Sequence, residues 1–91
     1  MGRVGYVVRG RVQGVGFRWF VLQQAGQWDL AGVVRNLADG SVEVMAEGSS
    51  EGLANLEQAL RRGPRYARVQ SVEKCDVPHE MKLPKPFDIS D

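Results

Sequence analysis

Apolar and polar side chains alternate along the start of the chain. Val4, Tyr6, Val8 and Val12 fall on one parity, with Gly10 between them, and Arg3, Arg9 and Arg11 fall on the other. A period of two predicts a strand with one buried face. From Phe17 the period lengthens: Phe17, Phe20, Val21, Ala25 and Trp28 recur at helical spacing and form one apolar stripe. Trp19 and Leu22 lie off that stripe and are expected to be partly exposed, and the helix is expected to stop between Gly26 and Asp29. The period of two then returns. Leu30, Gly32, Val34 and Asn36 share a parity, and Val42, Val44 and Ala46 alternate with Glu43, Met45 and Glu47. Asp39-Gly40 between these runs is a tight-turn signal, so they are predicted to form an antiparallel hairpin.

A second helical pattern follows. Ser49 or Ser50 is a candidate N-cap with Glu51 near the positive end of the dipole. Leu53, Leu56, Ala59 and Leu60 make its apolar face, Arg61 and Arg62 suit its C-terminus, and Gly63-Pro64 ends it. Residues 69–77 read as a fourth strand with imperfect alternation, since Val69 and Val72 are three apart, which suggests a bulge. Pro78, Pro84 and Pro86 break up the tail, and Phe87 and Ile89 share a parity that fits a short edge strand. The order β-α-β-β-α-β plus a terminal strand, closed by right-handed crossovers, puts two helices on one face of an antiparallel sheet. The expected fold is α+β, a ferredoxin-like two-layer sandwich, with residues 1–91 forming one domain. Many functions use that layout, so function must come from a site.

The stretch between the first strand and first helix is the richest in chemistry: Gly10-Arg11-Val12-Gln13-Gly14-Val15-Gly16-Phe17-Arg18. Glycines at 14 and 16 allow positive φ and close backbone approach to a ligand. A short turn opening a helix aims free N–H groups in one direction, a seat for a small anion. Arg18 adds a planar fork able to grip two oxygens at once. The loop is not a Walker A motif, because no Gly-Lys-Ser/Thr follows. It is not a dinucleotide fingerprint either, because Trp19 stands where a third glycine is needed. Taken alone, the same glycines could simply make the bend.

Composition narrows the classes. The formal charge is +1, from twelve basic and eleven acidic residues, which argues against a general nucleic-acid footprint. Arg3, Arg9, Arg11 and Arg18 are a local basic cluster. Cys75 is the only cysteine, so no intrachain disulfide can form, which fits a reducing, cytoplasmic location. His79 is the only histidine, and no His/Cys cluster suggests a metal site. No signal peptide or membrane-spanning run is present.

Val12-Gln13-Gly14-Val15-Gly16-Phe17-Arg18, then Gly32-Val33-Val34-Arg35-Asn36, then Asp39-Gly40-Ser41-Val42 resemble the acylphosphatases. The similarity extends through Gly48 and Gly63-Pro64 to Phe87-Asp88-Ile89 and so covers nearly the whole chain. It implies hydrolysis of a carboxylic–phosphoric anhydride to carboxylate and inorganic phosphate, without a metal or other cofactor. It also implies a monomer acting on a small acyl phosphate, with neither nucleic acid nor membrane as partner. Gln13, Gly14, Val15, Gly16, Phe17 and Arg18 would bind the phosphoryl group, and Asn36 would position the attacking water. Two positions depart from the family pattern. Asp29 stands where a glycine usually ends the first helix, and aspartate enters the left-handed region at modest cost. Val33 replaces a common tryptophan on the outer face of a strand.

The implied chemistry suits this chain. A leaving carboxylate has a conjugate acid of pKa about 4 and needs little protonation. What remains is charge stabilisation and alignment, within reach of loop N–H groups, an arginine and an amide. Asn36 offers an acceptor and a donor but is no base, and its residue type would equally serve to cap the hairpin. Two other classes compete. One is a non-catalytic anion-binding module. The other is an RNA-binding domain of the same layout, which would stack bases on aromatics of its central strands; the run from Val42 to Glu47 has none.

Overall fold

The alternating first strand lies inside a five-stranded sheet, flanked on both sides. A computed structural model describes residues Met1–Asp91. Its elements are β1 (Gly2–Arg11), α1 (Phe17–Gln27), β2 (Ala31–Asn36), β3 (Val42–Gly48), α2 (Ser50–Arg62), β4 (Arg68–Cys75) and β5 (Asp88–Ser90). The strand order is β4-β1-β3-β2-β5. β1 pairs antiparallel with β3 and β4, β2 pairs antiparallel with β3, and β5 runs parallel to β2 at the edge. This is the expected ferredoxin-like sandwich with its short edge strand.

Parity decides what is buried. Tyr6, Val8, Val34, Val42, Val44, Ala46 and Val72 face the helices and meet Phe17, Val21 and Ala25 of α1 and Leu53, Leu56 and Leu60 of α2 in one core. The Tyr6 hydroxyl is enclosed there and donates to the Leu53 carbonyl at 3.4 Å. Burial, and then the nearby Glu57 carboxylate, push its pKa up to about 12, so it stays neutral. The opposite face carries ion pairs: Arg3 with Glu47, Arg9 with Glu73 and Arg35 with Glu43. Leu56 is fully enclosed on α2. Leu56→Ala is expected to cost about 2–5 kcal/mol of stability by leaving a cavity. Urea unfolding measures that cost, and kcat for the folded fraction is expected to stay at the wild-type value.

The irregular alternation of β4 has a clear cause. Arg9 pairs with Ser71 but Gly10 pairs with Val69, so Gln70 is an extra residue on β4. The bulge turns Val69 and Val72 to the same face although they are three apart. Gly10 permits it: a Cβ there would stand 2.1 Å from the Arg68 carbonyl oxygen. β4 begins and ends earlier than residues 69–77. Val77 has left the strand but remains buried, against Gly5.

Helix ends follow local chemistry. Ser49 caps α2, its Oγ accepting from the Gly52 N–H at 3.0 Å, and Gly63 closes it by donating to the Ala59 carbonyl. α1 ends at Gln27, and Asp29 takes the left-handed conformation with φ of 54°. Its carboxylate accepts from Lys85 Nζ at 2.9 Å. Leu22 is partly exposed, as its position off the stripe predicts, and its covered side packs against the core. Arg18, four residues earlier on the same flank of α1, reaches Asp91 just beyond β5, so the added edge strand extends the sheet beneath this flank.

The segment from β4 to β5 is tied down where it passes. Arg3 Nη1 donates to the carbonyls of Pro78 and Met81 at 2.8 and 2.9 Å, and the Gly32 N–H donates to the Pro84 carbonyl at 2.8 Å. β5 then runs beside β2 with Ser90 opposite Arg35, which brings Asp91 level with Asn36.

Candidate active site

β1 stops at Arg11 and α1 starts at Phe17, so residues 12–16 form the loop. Gly14 has φ of 74° and Gly16 has φ of 77°. A Cβ at either position would meet nothing within 4 Å, so glycine is needed for conformation and not for space. Gly16 is also the N-cap of α1, where no side chain caps the helix and no acidic residue occupies the first turn. The backbone N–H groups of Gln13, Gly14, Val15 and Gly16 donate to no acceptor within the chain. Free donors at the positive end of a helix dipole suit an anion. Phe17 anchors the helix start, its ring buried in the core, and Val15 packs against that core from the loop.

Two contacts bracket this loop. Gln13 donates through Nε2 to the carbonyls of Leu37 at 2.8 Å and Ser41 at 2.9 Å. Both partners can only accept, so the amide nitrogen, not the oxygen, must face them. On the other side, Arg18 Nη1 lies 3.6 Å from Asp91 Oδ1, level with Asn36 across the β2–β5 pair. Gly14 to Phe17 therefore lie between anchors on either side of Asn36.

Asn36 itself is half-buried at the end of β2, on the parity of Val34 that faces the helices. It does not cap the hairpin. Asp39 does, its Oδ1 accepting from the Ser41 N–H at 3.0 Å and from the Ser41 hydroxyl at 2.5 Å. Those hydrogen bonds hold the Asp39 carboxyl below its ordinary range, and Arg9 reinforces the effect. Nor does Asn36 hold a left-handed backbone, for Asp29 is the only non-glycine residue with positive φ. Both turn-forming roles open to this residue type are thus filled elsewhere.

The other candidate side chains lie apart. Cys75 pairs with Gly5, six residues along β1 from Arg11, about 20 Å from the loop at strand rise. It is exposed, and burial of its sulfur, followed by the charges of Glu43, Asp76 and Glu73, pushes the thiol pKa up, away from a nucleophilic thiolate. His79 is exposed in the segment after β4. The cavity at the hairpin tip, about 290 Å³, is lined by Arg9, Gly10, Asp39, Gly40, Ser41 and Gln70. Its guanidinium is paired with both Asp39 and Glu73, which leaves little charge for an anion.

Residues 4–89 match the family model described as acylphosphatase. The chain belongs to the acylphosphatase family. The match spans Gln13, Arg18 and Asn36, whereas Asp91 lies outside it. An acylphosphatase of Nitratidesulfovibrio vulgaris is 53% identical over 90 residues, covering 98% of this chain and 90% of that protein. The crystal structure of acylphosphatase from Bacillus subtilis superimposes with a TM-score of 0.82 at 36% identity, covering 98% of each chain. An acylphosphatase structure from Coxiella burnetii gives 0.86 at 33% identity, covering 97% of this chain and 90% of that one. The family departure at Asp29 is accommodated in the left-handed region, as its residue type allows. Val33 lies opposite Met45 and Asp88, away from the loop.

Sequence reasoning did not find the role of the Gln13 side chain or the contact of Asp91. The Gln13 acceptors are main-chain oxygens 24 and 28 residues away, to which side-chain identity gives no clue. Asp91 reaches Arg18 only because β5 pairs parallel to β2.

Proposed function

We propose that this chain hydrolyses acyl phosphates, with Arg18 and the loop N–H groups of residues 13–17 holding the phosphoryl oxygens and Asn36 orienting water. Water oxygen attacks phosphorus, the bond from phosphorus to the bridging oxygen breaks, and the carboxylate departs with that electron pair. The water's proton passes to the phosphoryl group, so an acyl phosphate dianion and water become a carboxylate and dihydrogen phosphate. The leaving group needs no general acid, because its conjugate acid is a carboxylic acid of pKa about 4. Preorganised N–H dipoles and a guanidinium then supply the stabilisation of the equatorial charge.

The observation that carries this reading is the pairing of an acceptor-free N–H loop with an asparagine that has no turn-forming task. Gln13 links the loop to the turn after β2, and Arg18, at the start of α1, reaches Asp91 level with Asn36. All the named groups come from one chain, consistent with a monomer. A lone cysteine and the lack of any disulfide suit the cytoplasm. No helix is long and apolar enough to cross a membrane.

The reading requires no metal, and nowhere do three or more His, Cys, Asp or Glu side chains converge to hold one. Release of phosphate from benzoyl phosphate in metal-free buffer tests it. Activity is expected to be the same before and after EDTA treatment. Loss on chelation, restored by adding a divalent cation, would overturn the metal-free scheme. Binding of benzoyl phosphate by calorimetry with no phosphate release would instead make the protein an anion-binding module.

A further inference from the structure

We infer that the Gln13 side chain is a positioning residue that sets the distance between the phosphate loop and Asn36. The inference rests on the water-steering role given above to Asn36.

The geometry is specific. Both hydrogens of one carboxamide are used, one on the Leu37 carbonyl at 2.8 Å and one on the Ser41 carbonyl at 2.9 Å. Leu37 follows Asn36 directly, and Ser41 precedes Val42, the residue paired with Asn36 across the hairpin. Gln13 thus grips both strands of the hairpin one residue beyond the Asn36–Val42 pair, where they meet the turn. Each carbonyl also accepts a main-chain bond: Leu37 from the Gly40 N–H at 3.2 Å, and Ser41 from the Leu37 N–H at 2.8 Å. With Asp39 capping Ser41, the turn is closed without any help from Gln13. The glutamine bonds therefore add a connection between turn and loop and do not make the turn itself.

That connection ties the loop directly to the turn beside Asn36. The loop leads into α1 and the turn joins β2 to β3. In-line attack needs the water and the phosphorus within a few tenths of an ångström of the productive distance, and an error of about 1 Å can cost roughly 10²-fold in rate. A two-point, half-buried link fixes that distance better than either element alone. The side-chain nitrogen faces the turn, so Gln13 contacts the substrate, if at all, through its backbone N–H.

A double-mutant cycle tests the idea. Gln13→Met keeps the side-chain volume, removes the donors and leaves both carbonyls with a partner. It is expected to lower kcat for benzoyl phosphate about 10-fold while leaving the phosphate inhibition constant within about 2-fold. In an Asn36→Ala background the same substitution is expected to change kcat less than about 2-fold, because there is no longer an amide to position. If Gln13→Met does not fold, as judged by its urea transition, Gln13→Asn carries the same test, being one methylene too short to span both carbonyls. The inference fails if Gln13→Met leaves kcat unchanged, or if the 10-fold loss persists in full without Asn36. It fails also if phosphate affinity falls in step with kcat, which would place Gln13 in the loop's own binding function. If Asn36→Ala alone turns over at the wild-type rate, the water-steering reading is what fails, and the two failures are told apart by that single variant.

Discussion

Arg18→Ala is expected to lower kcat/KM for benzoyl phosphate by about 10³-fold or more, the scale seen when an arginine that stabilises a transferring phosphoryl group is lost. Inorganic phosphate is expected to inhibit about 10- to 100-fold more weakly, as when one charge-assisted hydrogen-bonding group is removed. Both losses have the same origin, since the guanidinium would bind the phosphoryl oxygens in the ground state and more strongly as charge shifts onto them. The fold is expected to survive. The Arg18 side chain is 36% exposed, and its one ion pair is to a fully exposed Asp91 at 3.6 Å. An exposed pair of this kind contributes at most about 1 kcal/mol, so urea unfolding of the variant is expected to track the wild type. Arg18→Lys separates charge from shape. Lysine keeps the charge but loses the planar fork, and an activity between those of alanine and arginine is expected. Near-wild-type turnover in Arg18→Ala would remove the arginine from the mechanism altogether.

Much of this molecule was legible in its residues, for identifiable reasons. β3 alternates cleanly because one face of it is buried, β1 does so apart from Val7 and the buried Gly5, and α2 declares itself through Ser49, an apolar face and Gly63, each a local signal. β4 was harder, because Gln70 is an inserted residue and its insertion shifts the phase midway. A bulge can be suspected from Val69 and Val72, but its position depends on Gly10 in another strand. Leu22 was read correctly as partly exposed, because its place off the helix stripe is a local signal. At the site, Gly14, Gly16 and Arg18 are local in sequence, so the loop could be read directly. The link from Gln13 to Leu37 and Ser41 could not, because it is made to main-chain atoms. Asn36 stood between two readings on residue type alone. The hydrogen bonds of Asp39 show that the turn is capped without it.

Asn36→Ala is expected to cut kcat about 10²–10³-fold, the magnitude associated with losing one well-placed polar group at a reacting centre. The phosphate inhibition constant is expected to change by less than about 2-fold, because a group acting only on the attacking water adds nothing to product binding. This split is the mirror of Arg18→Ala, in which turnover and phosphate affinity fall together. The turn is not expected to move in the variant. Asp39 and the Leu37 N–H hold it by bonds that Asn36 does not share. Asn36→Asp sharpens the test. It keeps the shape and an acceptor for water but loses the NH₂ donors and brings a negative charge toward an anion. Phosphate affinity is then expected to fall as well, by Coulomb repulsion that weakens at higher salt. Were Asn36→Ala and Arg18→Ala to lose phosphate affinity equally, Asn36 would be part of the anion seat, and some other group would have to aim the water.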